Sequence, residues 1–142
     1  MKDFFTRFNR IAVLGLSRNP KSFSRNACAF LRSQGCEVHP VNPNTDNIDG
    51  QTCYSSVEYL PDVQAAIFFT PPRVTEELLP LCKEKGIINV WFQQGSADKA
   101  VINAADKLGI NYKNSCVFMH HPKAGFPHNF HGFMVRILGM DK

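Results

Sequence analysis

Four short strand-like runs, three of them mainly apolar and the second carrying Glu37 and His39, are each cut off by a polar turn and set the rhythm of this chain. They are Ile11–Leu14, Glu37–Val41, Ala65–Phe69 and Ile87–Phe92. Runs that stay apolar without strict alternation mark strands covered on both faces. Between them the pattern shifts to a helical period. A helix is predicted from Ser22 to Ser33, with Phe23, Ala27, Phe30 and Leu31 on its buried face, and Gly35 closes it as a left-handed cap. A second runs from Val74 to Lys85, with Val74, Leu78, Leu81 and Cys82 facing the core, and Gly86 ends it. A third runs from Asp98 to Leu108 and stops at Gly109, before a last short strand at Ile110–Tyr112. The polar stretch Thr45–Gln51 carries a turn at Asp49-Gly50, Cys53-Tyr54 starts a small strand or connector, and Ser55–Leu60 forms a helical turn ended by Pro61. Ahead of Arg10, a lead-in bearing Phe4, Phe5 and Phe8 is expected to cover the edge of the core.

Strands alternating with helices of about a dozen residues predict an α/β fold: a doubly wound, mainly parallel sheet with helices on both faces. The 142 residues fit a single domain, with an extension of different composition from about residue 117. In open sheets of this kind ligands bind beyond the carboxyl ends of the strands, where strand order reverses. The candidate site is therefore located before any motif is considered. It consists of the loops Gly15–Pro20, Val41–Asn44, Thr70–Arg73 and Gln93–Ser96.

Composition narrows the partners. Hydrophobic residues make up 44% and charged residues 20%, with a net charge of +4 and no run of like charges. A basic arm for nucleic acid is therefore not expected. No stretch approaches the roughly 18 apolar residues of a membrane helix, and the amino terminus lacks the apolar region of a signal peptide. Five cysteines in an odd count, with no Cys-x-x-Cys pair, predict free thiols in a reducing, cytoplasmic setting.

The loop after the first strand, Gly15-Leu16-Ser17-Arg18-Asn19-Pro20, is an incomplete dinucleotide fingerprint. Its first glycine is kept, and Ser17 and Pro20 stand where the other two would be. Backbone amides at a helix start can still hold a phosphate, helped by a serine hydroxyl, and Arg18, Lys21 and Arg25 add charge around the turn. An ordinary strand-to-helix connection with solvated cations accounts for the same residues. The second strand ends at Val41-Asn42-Pro43-Asn44, with no carboxylate for ribose hydroxyls before Asp46. That argues against NAD and leaves room for a ligand with an extra ribose phosphate, such as NADP or coenzyme A. Thr70-Pro71-Pro72 offers a rigid wall, although prolines also simply open helices.

Taken together, Ile11–Ser17, Val41-Asn42-Pro43, Gly50 with Cys53-Tyr54, and Val90-Trp91-Phe92-Gln93-Gln94-Gly95 resemble the single-domain CoA-binding proteins. Their Rossmann-like domain is similar to the CoA-binding domain of succinyl-CoA synthetase alpha subunits. The resemblance covers about residues 10–120. It implies CoA or acyl-CoA as the ligand, with Gly15, Ser17 and the following turn at the phosphates. Val41, Asn42 and Pro43 would lie along the adenosine, Thr70, Pro71 and Pro72 under the pantetheine, and Gln94 and Gly95 in the last wall. A phosphohistidine-bearing second domain has no counterpart in a chain of this length, so ligation chemistry is not implied.

No residue is assigned a catalytic role. His39 and Cys53 are the local candidates, and neither has a partner in the sequence that would activate it. His120, His121, His128 and His131, with Cys116 nearby, lack a familiar metal-ligand spacing, so no metal is assigned. Phe126, Phe130, Phe133 and Ile137 could supply a homodimer surface. The expectation is a CoA-binding carrier, sensor or partner module without chemistry of its own. The alternative is an NADP-dependent oxidoreductase or a component of an acyl-transfer enzyme.

Overall fold

The computed structural model describes Phe4 and residues 7–114. From Arg10 the chain forms β1 (Arg10–Leu14), α1 (Phe23–Ser33) and β2 (Glu37–Val41), then a small antiparallel hairpin of β3 (Asn47–Ile48) and β4 (Gln51–Thr52). A turn of 3-10 helix (Val57–Tyr59) leads to β5 (Ala65–Phe68), α2 (Pro72–Lys85), β6 (Asn89–Phe92), α3 (Lys99–Leu108) and β7 (Asn111–Asn114). Five strands make one parallel sheet in the order β2-β1-β5-β6-β7. The chain thus steps outward from β1 to β2, returns across β1 to β5, and continues in the other direction. The reversal lies between β1 and β5, where a doubly wound sheet opens its ligand crevice. This is the predicted Rossmann-like α/β architecture.

The unbroken apolar runs are explained by cover on both faces. Ile11, Val13, Ala65, Ile67 and Trp91 pack with Phe23, Ala27, Cys28 and Leu31 of α1. The intervening Ala12, Leu14, Ala66, Phe68, Val90 and Phe92 pack with Leu79 and Cys82 of α2 and with Val101 and Ala105 of α3. Phe4 closes the α1 side edge-on against Trp91, with Phe8 packed beside it, as the lead-in predicted. Ser22 caps α1 by accepting from the Arg25 amide, Gly35 takes a left-handed φ of 94° just past its end, and Asp98 caps α3.

Two strand starts and one helix face differ from the sequence reading for local reasons. The amide of Ile87 returns to Cys82 O and that of Ile110 to Ala105 O, at 2.8 and 2.9 Å. Both isoleucines therefore complete helix caps behind a left-handed glycine, and their strands start later, at Asn89 and Asn111. The buried face of α2 is Thr75, Leu79 and Cys82, whereas Leu81 is exposed and Val74 and Leu78 are only half-buried. The expected apolar stripe was rotated because a threonine occupies the core-facing position. Its hydroxyl is satisfied by Thr70 Oγ1 at 2.7 Å and by the carbonyls of Thr70 and Pro71.

Candidate ligand site at the carboxyl edge of the sheet

Gly15 is the point where three strand ends meet. Its amide donates to Val41 O at 3.2 Å, and the Phe69 amide donates to Leu14 O at 2.9 Å, so the ends of β2 and β5 are tied to either side of it. Its φ is +88°, outside the range of ordinary side chains. A Cβ at this position would stand 2.7 Å from Thr70 Cγ2, 3.2 Å from Thr70 N and 3.3 Å from Phe69 C. Glycine is required for both reasons.

Beyond Gly15 the loop is wired by its own polar side chains. Ser17 N donates to Ser24 Oγ, Asn19 N to Ser17 Oγ and Lys21 N to Asn19 Oδ1, each at 3.0 Å. Arg25 reaches back from α1 with its guanidinium on Ser17 O at 3.4 Å and Arg18 O at 3.1 Å, and it also pairs with the Asp49 carboxylate. Of the three cations expected here, Arg18 and Lys21 are exposed, and among the described residues their side chains have no ion-pair partner. Arg25, only 10% exposed, is already engaged by the loop itself.

The second wall is bound to the first. Asn42 Nδ2 donates to Leu16 O, while Asn42 Oδ1 accepts from the Asn44 amide, both at 2.8 Å. The side chain in the place of a ribose-binding carboxylate is thus a neutral amide spent on loop shape. Pro43 and Asn44 are exposed beside it. The third wall is Thr70-Pro71-Pro72. Pro71 caps α2 without a side-chain hydrogen bond, and because Pro72 has no N–H the uncapped first-turn amides are those of Arg73 and Val74. In the fourth, the Gln93 amide bonds Phe68 O at 3.1 Å and Ser96 closes onto Gln93 O. That turn leaves Gln94 and Gly95 exposed, with Gly95 at φ +97°. Gly15, Ser17 and Asn42 are joined through this network, Thr70 packs closely against Gly15, and Gln94 and Gly95 are exposed at the end of β6.

The groups considered for chemistry lie apart from it or are quenched. His39 sits in the middle of β2 opposite Ala12, with Nε2 2.7 Å from Glu37 Oε2. It lines a cleft of about 270 Å³ on the outer side of that strand with Tyr54 and Cys36. Cys53 is 3% exposed with Sγ 4.0 Å from Asn42 O, and burial raises its pKa. Burial likewise raises Cys28 and Cys36 and pushes Cys82 up to about 12. None of the four described thiols is activated as a thiolate. A separate cavity of about 600 Å³ opens at the amino edge of the sheet, among Phe4, Arg7, Phe8, Asn89 and Tyr112. Among the described residues no cluster of metal-ligating side chains occurs, and no helix is long and apolar enough to cross a membrane. The histidine-rich tail, Cys116 and the aromatic residues considered for dimer formation lie outside the described residues.

Residues 9–122 match the family model described as CoA binding domain. The chain belongs to this CoA-binding domain family. The ordered strand-end motifs resembled the same family. The alpha subunit of acetate–CoA ligase (ADP-forming) II from Pyrococcus furiosus is 35% identical over 92 residues, which cover 63% of this chain and 20% of that subunit. The chain thus spans about a fifth of the ligase subunit's length. The uncharacterized protein YneT of Bacillus subtilis is 30% identical over 114 residues, covering 77% of this chain and 82% of that protein. A solved structure of a conserved hypothetical protein from Pyrococcus furiosus has a TM-score of 0.72 at 38% identity, covering 75% of this chain and 93% of that one.

The fit of a CoA-type ligand rests on the donor set. Arg18 and Lys21, exposed and without an ion-pair partner among the described residues, suit a diphosphate, whereas the amides of Ser17, Asn19 and Lys21 are already spent within the loop. The second strand end presents no carboxylate that would repel an extra ribose phosphate. The signal for Arg25's engagement was not in the loop motif, because its partner Asp49 lies 24 residues further along.

Proposed function

We propose that this CoA-binding domain holds CoA or an acyl-CoA across the carboxyl edge of its sheet and performs no chemistry of its own. It would serve as a carrier, a sensor or the ligand-holding module of a larger assembly. In this reading Gly15, Ser17, Arg18, Asn19 and Lys21 surround the phosphates. Val41, Asn42 and Pro43 follow the adenosine. Thr70, Pro71 and Pro72, with Gln94 and Gly95, wall the remainder. Arg25 contributes by shaping the loop.

The observation that carries the reading is the convergence at Gly15. Three strand ends are fixed around a residue with no side chain, immediately before a loop carrying two exposed cations without an ion-pair partner among the described residues. The neutral Asn42 favours a ligand other than NAD. The absence of an activated thiol among the described cysteines, and the position of His39 away from the loops, support binding over catalysis. Buried free cysteines fit a reducing, cytoplasmic setting.

Isothermal titration against CoA, acetyl-CoA, NAD and NADP tests the reading. Saturable binding of CoA and acetyl-CoA is expected, with NAD much weaker. Clear NAD binding with no CoA binding at millimolar ligand would overturn it.

A further inference from the structure

We propose that Arg25 is a positioning residue for the phosphate loop, and that hairpin β3–β4 is the latch that holds it in place through Asp49. The binding half of this inference rests on the CoA reading, and the structural half does not.

The guanidinium of Arg25 joins two segments far apart in the chain. It donates to the carbonyls of Ser17 and Arg18 on one side and to the Asp49 carboxylate on the other. Arginine suits this task because its donors are fixed in a planar fork, which a lysine ammonium cannot reproduce. Asp49 sits at the tip of the hairpin with φ +53°, a left-handed conformation that Asp and Asn tolerate better than most residues. With two residues per strand, the hairpin is too short to stand unaided. It is held against α1 by buried Ile48, by a hydrogen bond from Arg32 to Gln51, and by the Arg25–Asp49 pair. The chain of support therefore runs from the hairpin tip through one arginine to the loop.

This arrangement reverses the sign that simple electrostatics assigns to Asp49. A carboxylate beside an anion-binding loop should repel the ligand, so removing its charge should tighten binding. If its role is to anchor Arg25, removing the charge frees the guanidinium, loosens the loop and weakens binding.

The discriminating variant is Asp49→Asn, which keeps a residue suited to the turn and removes only the charge. CoA affinity by titration is expected to fall about tenfold, the loss of roughly one charge-assisted hydrogen bond. Hydrogen exchange at the Ser17, Asn19 and Lys21 amides of the ligand-free protein should accelerate. Arg25→Lys should do the same, and the double variant should be no worse than either single one. Unchanged exchange in both single variants would overturn the latch, whether CoA binding is tighter, equal or weaker. Should the wild-type chain bind no CoA, the ligand reading falls, and the exchange rates alone still decide the latch.

Discussion

The loops after β1 and β5 touch at Gly15, yet they are held by opposite means. The first is a relay of small polar side chains, Ser17, Asn19, Ser22 and Ser24, each bonding a backbone amide a few residues away, with Arg25 behind them. The second has two prolines and one buried pair of threonine hydroxyls. A relay of single hydrogen bonds, each worth about 1 kcal/mol, can be loosened link by link. A proline-fixed turn on a buried polar pair is stiff and fails as a unit. The difference assigns adaptation to the loop after β1 and rigidity to the loop after β5.

Substitutions can break or sharpen this contrast. Gly15→Ala strikes both loops at once, because its Cβ would meet the backbone at Thr70 N and Phe69 C as well as a methyl group. A loss of about 2–4 kcal/mol in urea unfolding is expected, from the backbone strain together with the clash. Thr75→Val removes the hydroxyl that Thr70 depends on in the buried pair and should cost about 2 kcal/mol by the same measurement. A cost near zero would show that the rigid wall does not rely on it.

Ser22→Ala deletes the α1 cap, and about 1 kcal/mol is expected. Because Ser22 Oγ also lies 3.3 Å from Ser24 Oγ, faster exchange of the Ser17 amide should accompany the loss. Arg18→Ala and Lys21→Ala should leave stability within about 0.5 kcal/mol of the wild type, as exposed residues without partners among the described residues. CoA affinity should nevertheless fall, by up to about tenfold for each, with a weaker dependence on salt.

The contrast also explains what the sequence could convey. Strand runs such as Ile11–Leu14 were legible because burial on both faces leaves a continuous apolar signature. The loops at the strand ends were legible from Gly15, Pro43 and Pro71, whose backbone constraints are written in the residue itself. The buried face of α2 was legible at Cys82 but not at Thr75, which is polar in isolation and becomes a core residue through its bonds to Thr70 and Pro71. The engagement of Arg25 was hidden for the same reason. Its charge stands next to the Gly15–Pro20 loop in sequence, while the carboxylate that engages it comes from a hairpin further along the chain. Partners distant in sequence leave no periodic trace.

The central claim, that the ligand lies on the carboxyl edge around Gly15, is tested most directly by following backbone amide resonances as CoA is added. The largest shifts are expected at Gly15, Ser17, Arg18, Asn19, Asn42 and Thr70, with Phe8, Asn89 and Tyr112 at the amino-edge cavity unmoved. Shifts concentrated at Phe8, Asn89 and Tyr112, with the Gly15 loop silent, would contradict it.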